Sequence, residues 1–132
     1  DHYLPRILRA RVYDVARETP LELANNLSRK LSNSVWLKRE DLQPVFSFKL
    51  RGATNCLMTL SPEQRDKGCV TASSGNHGAA VAYAMRRLDM TGVIFVPEQT
   101  SSAKIDATPL SAARSVRVAT RCHSSKSMLF EA

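Results

Sequence analysis

The stretch from residue 69 to residue 97 constrains the fold most, because it predicts a strand, a helix and a second strand in close succession. Cys69–Ala72 is short and favours a strand, and residues 79–88 are rich in helix formers. Gly92–Pro97 is an unbroken apolar run, which is typical of a strand buried on both faces of a parallel sheet. A crossover helix between two strands makes them parallel. The stretch therefore predicts an α/β fold.

Segments upstream of this unit predict one more strand and two more helices. Val35–Leu37 is apolar and favours a strand, which would end at the polar residues 38–41. The apolar stripe that begins at Leu50 predicts a helix, for which Ser47 is a natural N-cap. Residues 61–68 begin with Ser-Pro-Glu and end with Gly, the signals of a short capped helix. The order strand, helix, strand, helix, strand predicts a doubly wound sheet.

The first 31 residues predict two helices. Apolar residues follow Pro5 at helical intervals as far as Val15, which indicates a short helix. Thr19–Pro20 should end it, because the residue before a proline is disfavoured in the helical conformation. The leucines of Leu21–Leu31 then predict a second, amphipathic helix.

Composition places the chain among globular proteins, with 132 residues of which 43% are apolar and 23% are charged. No apolar run approaches the ~18 residues that a membrane span needs. The first residues also lack a basic segment followed by an apolar one. We therefore expect neither a membrane protein nor a secreted one, and place the chain in the cytoplasm, or in a plastid or mitochondrion if a transit segment precedes it.

The cysteines and the net charge exclude further classes. Cys56, Cys69 and Cys122 are odd in number and widely spaced, so they predict neither a disulfide framework nor a zinc site. We expect no metal. The net charge is +7, but the basic residues form no dense block and are not interleaved with aromatic residues. We therefore do not expect nucleic-acid binding.

Lys49 is the first candidate for chemistry. It lies where the predicted helix begins, and the positive end of a helix dipole disfavours a further positive charge. A lysine whose pKa is lowered by its surroundings can attack an aldehyde and form an imine. An ordinary surface lysine is the alternative, and spacing alone favours that alternative.

The second candidate is the loop at residues 73–78, with the sequence Ser-Ser-Gly-Asn-His-Gly. It supplies hydroxyls, a side-chain amide and free backbone N–H groups at the start of a helix, which suit a carboxylate or a phosphate. A serine-rich helix cap is an equally good interpretation. Neither a Walker motif nor a Gly-x-Gly-x-x-Gly motif occurs, so the sequence gives no support to nucleotide binding.

Four motifs taken together resemble a known family. They are Glu18-Thr19-Pro20-Leu21, Leu37-Lys38-Arg39-Glu40-Asp41, Ser47-Phe48-Lys49-Leu50-Arg51-Gly52-Ala53 and Ser73-Ser74-Gly75-Asn76-His77-Gly78. In this order and spacing, residues 3–106 resemble threonine dehydratases (threonine ammonia-lyases) of the pyridoxal-phosphate (PLP) dependent serine/threonine dehydratase family. The resemblance implies a PLP β-family fold like that of tryptophan synthase β. That fold is an open parallel sheet with helices on both faces, truncated in this chain. It also implies that full-length relatives are homo-oligomers.

The resemblance further implies a pyridoxal 5'-phosphate cofactor and assigns roles to the candidate residues. Lys49 would hold the cofactor as an imine and later remove the α-proton of the substrate. Phe48 would pack against the pyridine ring, and Asn76 would hydrogen-bond its 3-hydroxyl group. The loop that binds the substrate carboxylate would be Ser73, Ser74, Gly75, Asn76 and His77. The implied reaction is β-elimination of L-threonine, and of L-serine, to 2-oxobutanoate (pyruvate) and ammonia, as in isoleucine biosynthesis.

Ser74 departs from the pattern of many biosynthetic dehydratases, which carry alanine there, whereas serine racemases carry serine. A hydroxyl on the face of the cofactor opposite Lys49 could deliver a proton to the substrate. Ser74 is therefore a second candidate catalytic residue, and serine racemase-like activity is an alternative function.

Residues 1–106 are thus expected to be the N-terminal part of a catalytic region, and residues 107–132 a divergent tail. The resemblance stops abruptly at this point, which suggests a tail that is out of frame or mis-spliced. Within it, only Val116 and Val118 indicate a strand. The family's glycine-rich phosphate loop is not found, since no glycine follows Gly92. A catalytically inactive fragment is therefore the other alternative.

Overall fold

The computed structural model describes residues 3–97, residues 99–100 and the backbone of a strand at residues 116–121. Its helices are α1 (Tyr3–Arg9), α2 (Asn25–Leu31), α3 (Lys49–Met58), α4 (Pro62–Asp66) and α5 (Asn76–Arg87). Its strands are β1 (Leu21–Leu23), β2 (Trp36–Lys38), β3 (Cys69–Ala72), β4 (Gly92–Pro97) and β5 (Val116–Arg121). Short 3-10 turns lie at Val12–Asp14 and Glu40–Leu42.

Strands β3, β4 and β5 form a parallel sheet in that order. Gly92 at the start of the central strand pairs with Cys69 on one side and with Val116 on the other. This central position explains the apolar run, because Ile94 and Val96 are 0% and 2% exposed. The α/β fold with a parallel sheet and the strand near residue 116 are confirmed. The other residues of the expected tail, 107–115 and 122–132, lie outside the described residues.

Strands β1 and β2 form a separate antiparallel pair, and here two expectations were wrong. Leu21–Leu23 is a strand and not the first turn of a helix, because its backbone pairs with β2 from Leu21 opposite Lys38 to Leu23 opposite Trp36. The expected helix therefore begins only at Asn25. The strand expected near residue 36 exists, but its partner is β1, so it does not join the parallel sheet.

The N-terminal segment confirms part of the helix expected there. Helix α1 ends at Arg9, and only a 3-10 turn follows before Val15. None of the described helices has both the length and the apolarity that a membrane crossing requires.

The core lies between helices α3 and α5 and the parallel sheet. Leu50 of α3, Met85 of α5 and Ile94 of β4 are 0% exposed. The sheet and α5 approach so closely at Gly92 that an added Cβ would lie 2.4 Å from the sulfur of Met85. Near their N-terminal ends, α3 and α5 place Lys49 and His77 in the lining of one cavity.

Cap residues and a glycine near the ends of α3 and α4 mark where these helices begin and end. Ser61 caps α4, as expected, and it also forms a capping box with Gln64. Gly68 then turns the chain with a φ of 80°. Helix α3 begins at Lys49 with Phe48 as its cap residue, so the expected N-cap at Ser47 was one residue early. The Ser47 hydroxyl still accepts a hydrogen bond from the Lys49 N–H at 3.3 Å.

Candidate functional site

A cavity of about 320 Å³ lies between helix α3, strand β3 and helix α5. Helix α3 presents to it Lys49, Gly52, Ala53 and Cys56, which are three or four residues apart and therefore share one face. Thr71 of β3 and His77 of α5 lie across the cavity from this face. The cavity is the candidate site, because it joins the expected lysine to the expected loop region.

Lys49 is the first residue of α3, as the sequence predicted. Its Nζ lies 4.0 Å from the centroid of the Phe48 ring, a cation–π contact. Within residues 3–97 no carboxylate is paired with the amine. The amine therefore lines the cavity with an aromatic face beside it, and none of the described carboxylates forms an ion pair with it.

His77 is held by a neighbour within the same cavity. Its Nε2 lies 3.3 Å from the Thr71 hydroxyl, and both side chains line the cavity with Lys49. An imidazole in this position can form a hydrogen bond with a ligand that contacts Lys49 in the same cavity.

The loop between β3 and α5 is shaped by close backbone contacts. The Ser73 N–H donates to the carbonyl of Phe95 at 2.9 Å, and the Gly75 N–H donates to the Ser73 hydroxyl at 3.3 Å. Gly78 packs so close that an added Cβ would lie 2.5 Å from the carbonyl oxygen of Ser73. The loop is thus folded against the first turn of α5, whose backbone N–H groups are directed toward it.

The structure brings some of the expected residues together and leaves others beside them. Phe48, Lys49 and His77 line the cavity. Ser73, Ser74, Gly75 and Asn76 occupy the adjoining loop and the start of α5, outside the cavity wall.

Sequence reasoning named only Phe48, Lys49 and His77 among the cavity residues, and the polar or thiol side chains that it missed include Thr71, Cys56 and Cys69. The helical spacing of Cys56 from Lys49 would have placed it on the same face. Cys69 and Thr71 lie on the half-buried side of β3, because half-buried and exposed residues alternate along this strand.

Burial raises the pKa of the Cys69 thiol, and the nearby Cys56 thiol adds to the effect. These two cysteines are free thiols in the described structure. In the described part of the chain, no three His, Cys, Asp or Glu side chains come together in a way that could hold a metal ion.

Comparison with known families and proteins adds an independent finding. The family described as "pyridoxal-phosphate dependent enzyme" matches residues 12–130. The chain is 54% identical over 105 residues to the L-threonine dehydratase biosynthetic IlvA of Burkholderia multivorans, a match that covers 80% of this chain and 21% of that protein.

Two solved structures have similar folds. The processed form of threonine deaminase isoform 2 from Solanum lycopersicum matches with a TM-score of 0.80 and 49% identity over 90% of this chain and 34% of that one. Maize serine racemase matches with a TM-score of 0.77 and 28% identity over 89% of this chain and 36% of that one. The chain spans about a fifth of the length of the curated relative and about a third of the solved chains.

Proposed function

The chain belongs to the family of pyridoxal-phosphate dependent enzymes, and from this premise we propose that its cavity is one side of a cofactor and substrate site. Lys49 is the residue that would attach the cofactor, and Phe48 and Asn76 would contact its ring. The observation that carries the proposal is the Lys49 amine beside the Phe48 ring, in the lining of the cavity and without a paired carboxylate in residues 3–97.

The chemistry of the cavity fits an aromatic aldehyde. A primary amine is the group that an aldehyde needs, and an aromatic side chain next to it suits a flat ring. The cavity volume of about 320 Å³ is within the range of small-molecule sites. An added Cβ at Gly52 would meet nothing within 4 Å, so this wall leaves open space beside Lys49.

We propose L-threonine as the substrate, with 2-oxobutanoate and ammonia as products, and L-serine as a second substrate. The names of the relatives at about 50% identity support this choice. When bound, the cofactor serves as the acceptor for the electrons released at the substrate α-carbon. Lys49 would take the α-proton, because its primary amine lines the cavity at the point where the cofactor would be attached. Residues 73–77 would bind the carboxylate at the N-terminus of α5.

Serine racemase-like activity is the second candidate, favoured by Ser74 and by the likeness to maize serine racemase. In that reaction the Ser74 hydroxyl would exchange a proton with the substrate α-carbon. Formation of D-serine from L-serine, lost in Ser74→Ala, would support it. Ammonia release from L-threonine that survives Ser74→Ala would support the dehydratase.

The test of the cofactor site is covalent trapping. The purified chain would be mixed with pyridoxal 5'-phosphate, reduced with borohydride and mapped by mass spectrometry. We expect the label at Lys49 in the wild type and its loss in Lys49→Arg, which keeps the charge but removes the primary amine. Lys67→Arg, at the exposed end of α4, is the matched control and should leave the Lys49 label unchanged.

Labelling spread evenly over all lysines would contradict the proposal. Labelling of Lys49 without threonine turnover would support the alternative of an inactive fragment.

We also propose that the whole protein is a homo-oligomer, which light scattering tests. We propose that it lies in the cytoplasm, or in a plastid or mitochondrion where a transit segment precedes it, which fluorescence microscopy tests.

A further inference from the structure

The motif at residues 37–41 contains a carboxylate that joins three parts of the chain. The Arg51 side chain donates two hydrogen bonds to Glu40, from Nε to Oε2 at 2.9 Å and from Nη2 to Oε1 at 2.8 Å. The Thr19 hydroxyl donates a third at 2.5 Å. Glu40 therefore ties the segment before β1 to the first turn of α3.

Gln43 strengthens the same junction with its side-chain amide. Its Oε1 accepts from the Arg17 N–H at 2.9 Å, and its Nε2 donates to the Arg17 carbonyl at 2.8 Å. The same Nε2 also lies 3.3 Å from Glu40 Oε2. Gln43 is 1% exposed, so these bonds are shielded from water. We call Thr19, Glu40, Gln43 and Arg51 the clamp.

The clamp acts on the helix that carries Lys49. Successive helical residues are about 100° apart, so Arg51 projects roughly 200° from Lys49, on the opposite side of α3. Leu50, between them, is 0% exposed in the core. The first turn of α3 is thus fixed on two sides, which leaves the third side, with Lys49 and Gly52, directed at the cavity.

A neighbouring set of ion pairs shows that the clamp is more than a surface feature. Arg39 pairs with Glu22 and Asp41, whose side chains are 49% and 58% exposed. The Glu40 side chain is 15% exposed and that of Arg51 25%. Exposed ion pairs contribute little to stability, whereas a forked and partly buried pair holds a defined geometry. Hydrogen bonds, above all from Arg51, lower the pKa of the Glu40 carboxyl to about 2, so it is ionised near neutral pH.

We propose that Glu40 is a positioning residue for Lys49: through Arg51 it sets the rotation of the first turn of α3 and so directs the Lys49 amine at the cavity. This inference rests on the proposed role of Lys49. Glu40 itself does not line the cavity and touches no reacting group.

The test compares the wild-type chain with Glu40→Gln, a nearly isosteric change that removes the charge. Both would be incubated with pyridoxal and cyanoborohydride, and the rate of labelling at each lysine measured by mass spectrometry. Pyridoxal carries no phosphate, so the readout does not depend on a phosphate site. We expect labelling of Lys49 to be about tenfold slower in Glu40→Gln, since a misplacement of about 1 Å can reduce a rate on the order of 100-fold. Labelling of Lys67 should not change.

Asp41→Asn is the matched control, because it removes the same charge from the adjacent residue of the motif. It should leave Lys49 labelling as in the wild type. Glu40→Asp, which restores the charge on a shorter side chain, should recover part of the rate. Equal Lys49 rates in the wild type and in Glu40→Gln would overturn the positioning role. A wild-type Lys49 that reacts no faster than Lys67 would instead overturn the proposed function, and with it the reason for positioning.

A second measurement keeps the test valid if Glu40→Gln folds poorly. Thr19→Val removes the hydroxyl that donates to Glu40 and accepts a long hydrogen bond from Arg51 at 3.5 Å, but it keeps the side-chain shape and the Glu40–Arg51 pair. We therefore expect a smaller fall in the same direction. Amide hydrogen exchange in the first turn of α3 and at Arg17 should quicken in Thr19→Val, while exchange in β4 stays slow. Unchanged exchange at these amides would show that no clamp exists.

Discussion

Gly52 and Gly78, in the two helices of the site, differ in the space that surrounds them. An added Cβ at Gly52 of α3 would have no atom within 4 Å, whereas one at Gly78 of α5 would lie 2.5 Å from the carbonyl oxygen of Ser73. Both residues are helical, so the backbone itself would suit alanine at either position. The difference lies in the neighbours, and it makes Gly78 the residue that permits the loop at 73–77 to fold against α5.

Gly78→Ala is expected to destabilise the fold, because the Ser73 carbonyl belongs to the backbone and must move. Overpacking of this kind costs about 1–3 kcal/mol in the free energy of unfolding. Gly52→Ala is the matched control and should instead stabilise by up to about 1 kcal/mol, from helix propensity alone. Urea denaturation followed by circular dichroism measures both. A stabilised Gly78→Ala would mean that the loop does not pack as described.

At the scale of elements, local signals predicted some parts of the fold and long-range pairing decided others. The strands at 69–72 and 92–97 and helix α5 followed from apolar runs and helix formers that are complete within each segment. Leu21–Leu23 was assigned to a helix because its leucines fit a helical period. Its strand conformation depends on β2, more than ten residues later, which no local pattern reveals.

At the candidate site, too, local signals predicted some features and long-range contacts decided others. The position of Lys49 at the start of a helix was predictable from the apolar stripe that follows it. The clamp was not, because Thr19, Glu40 and Arg51 are far apart in sequence and become partners only when three segments meet. Family resemblance identified the motif at 37–41 without explaining it, and the hydrogen bonds of Glu40 supply the physical reason.

Helix α4 gives a test of a purely local signal. Ser61 accepts a hydrogen bond from the Gln64 N–H, and Gln64 Oε1 accepts one from the Ser61 N–H. Ser61→Ala should therefore lower the free energy of unfolding by about 1 kcal/mol. Ser34→Ala, at an exposed position before β2, is the control and should change it by less than about 0.5 kcal/mol. Equal effects in urea denaturation would show that the capping box is not formed in solution.

At the scale of the whole molecule, the clamp makes stability depend on pH. The Glu40 carboxyl has a pKa of about 2 in the folded chain, against an ordinary value of 4.5, chiefly because Arg51 donates to it. The folded state thus releases this proton more readily than the unfolded state does. The resulting stabilisation is fully present above about pH 5 and is lost as the pH falls toward about 2.

We expect the thermal midpoint of the wild type to fall between pH 6 and pH 3, with a loss of roughly 2 kcal/mol attributable to Glu40. A glutamine at position 40 carries no titratable group. The thermal midpoint of Glu40→Gln should therefore be lower than that of the wild type at pH 6 and should fall less between pH 6 and pH 3. Asp41→Asn should keep most of the wild-type fall, because hydrogen bonds from Arg39 lower the pKa of Asp41 but its side chain is 58% exposed. If the thermal midpoint fell equally with pH in the wild type and in Glu40→Gln, carboxylates other than Glu40 would be the cause of the acid sensitivity. Since the clamp joins the N-terminal segment to α3, a fall specific to Glu40 would instead show that one partly buried carboxylate links the segment before β1 to the helix of Lys49.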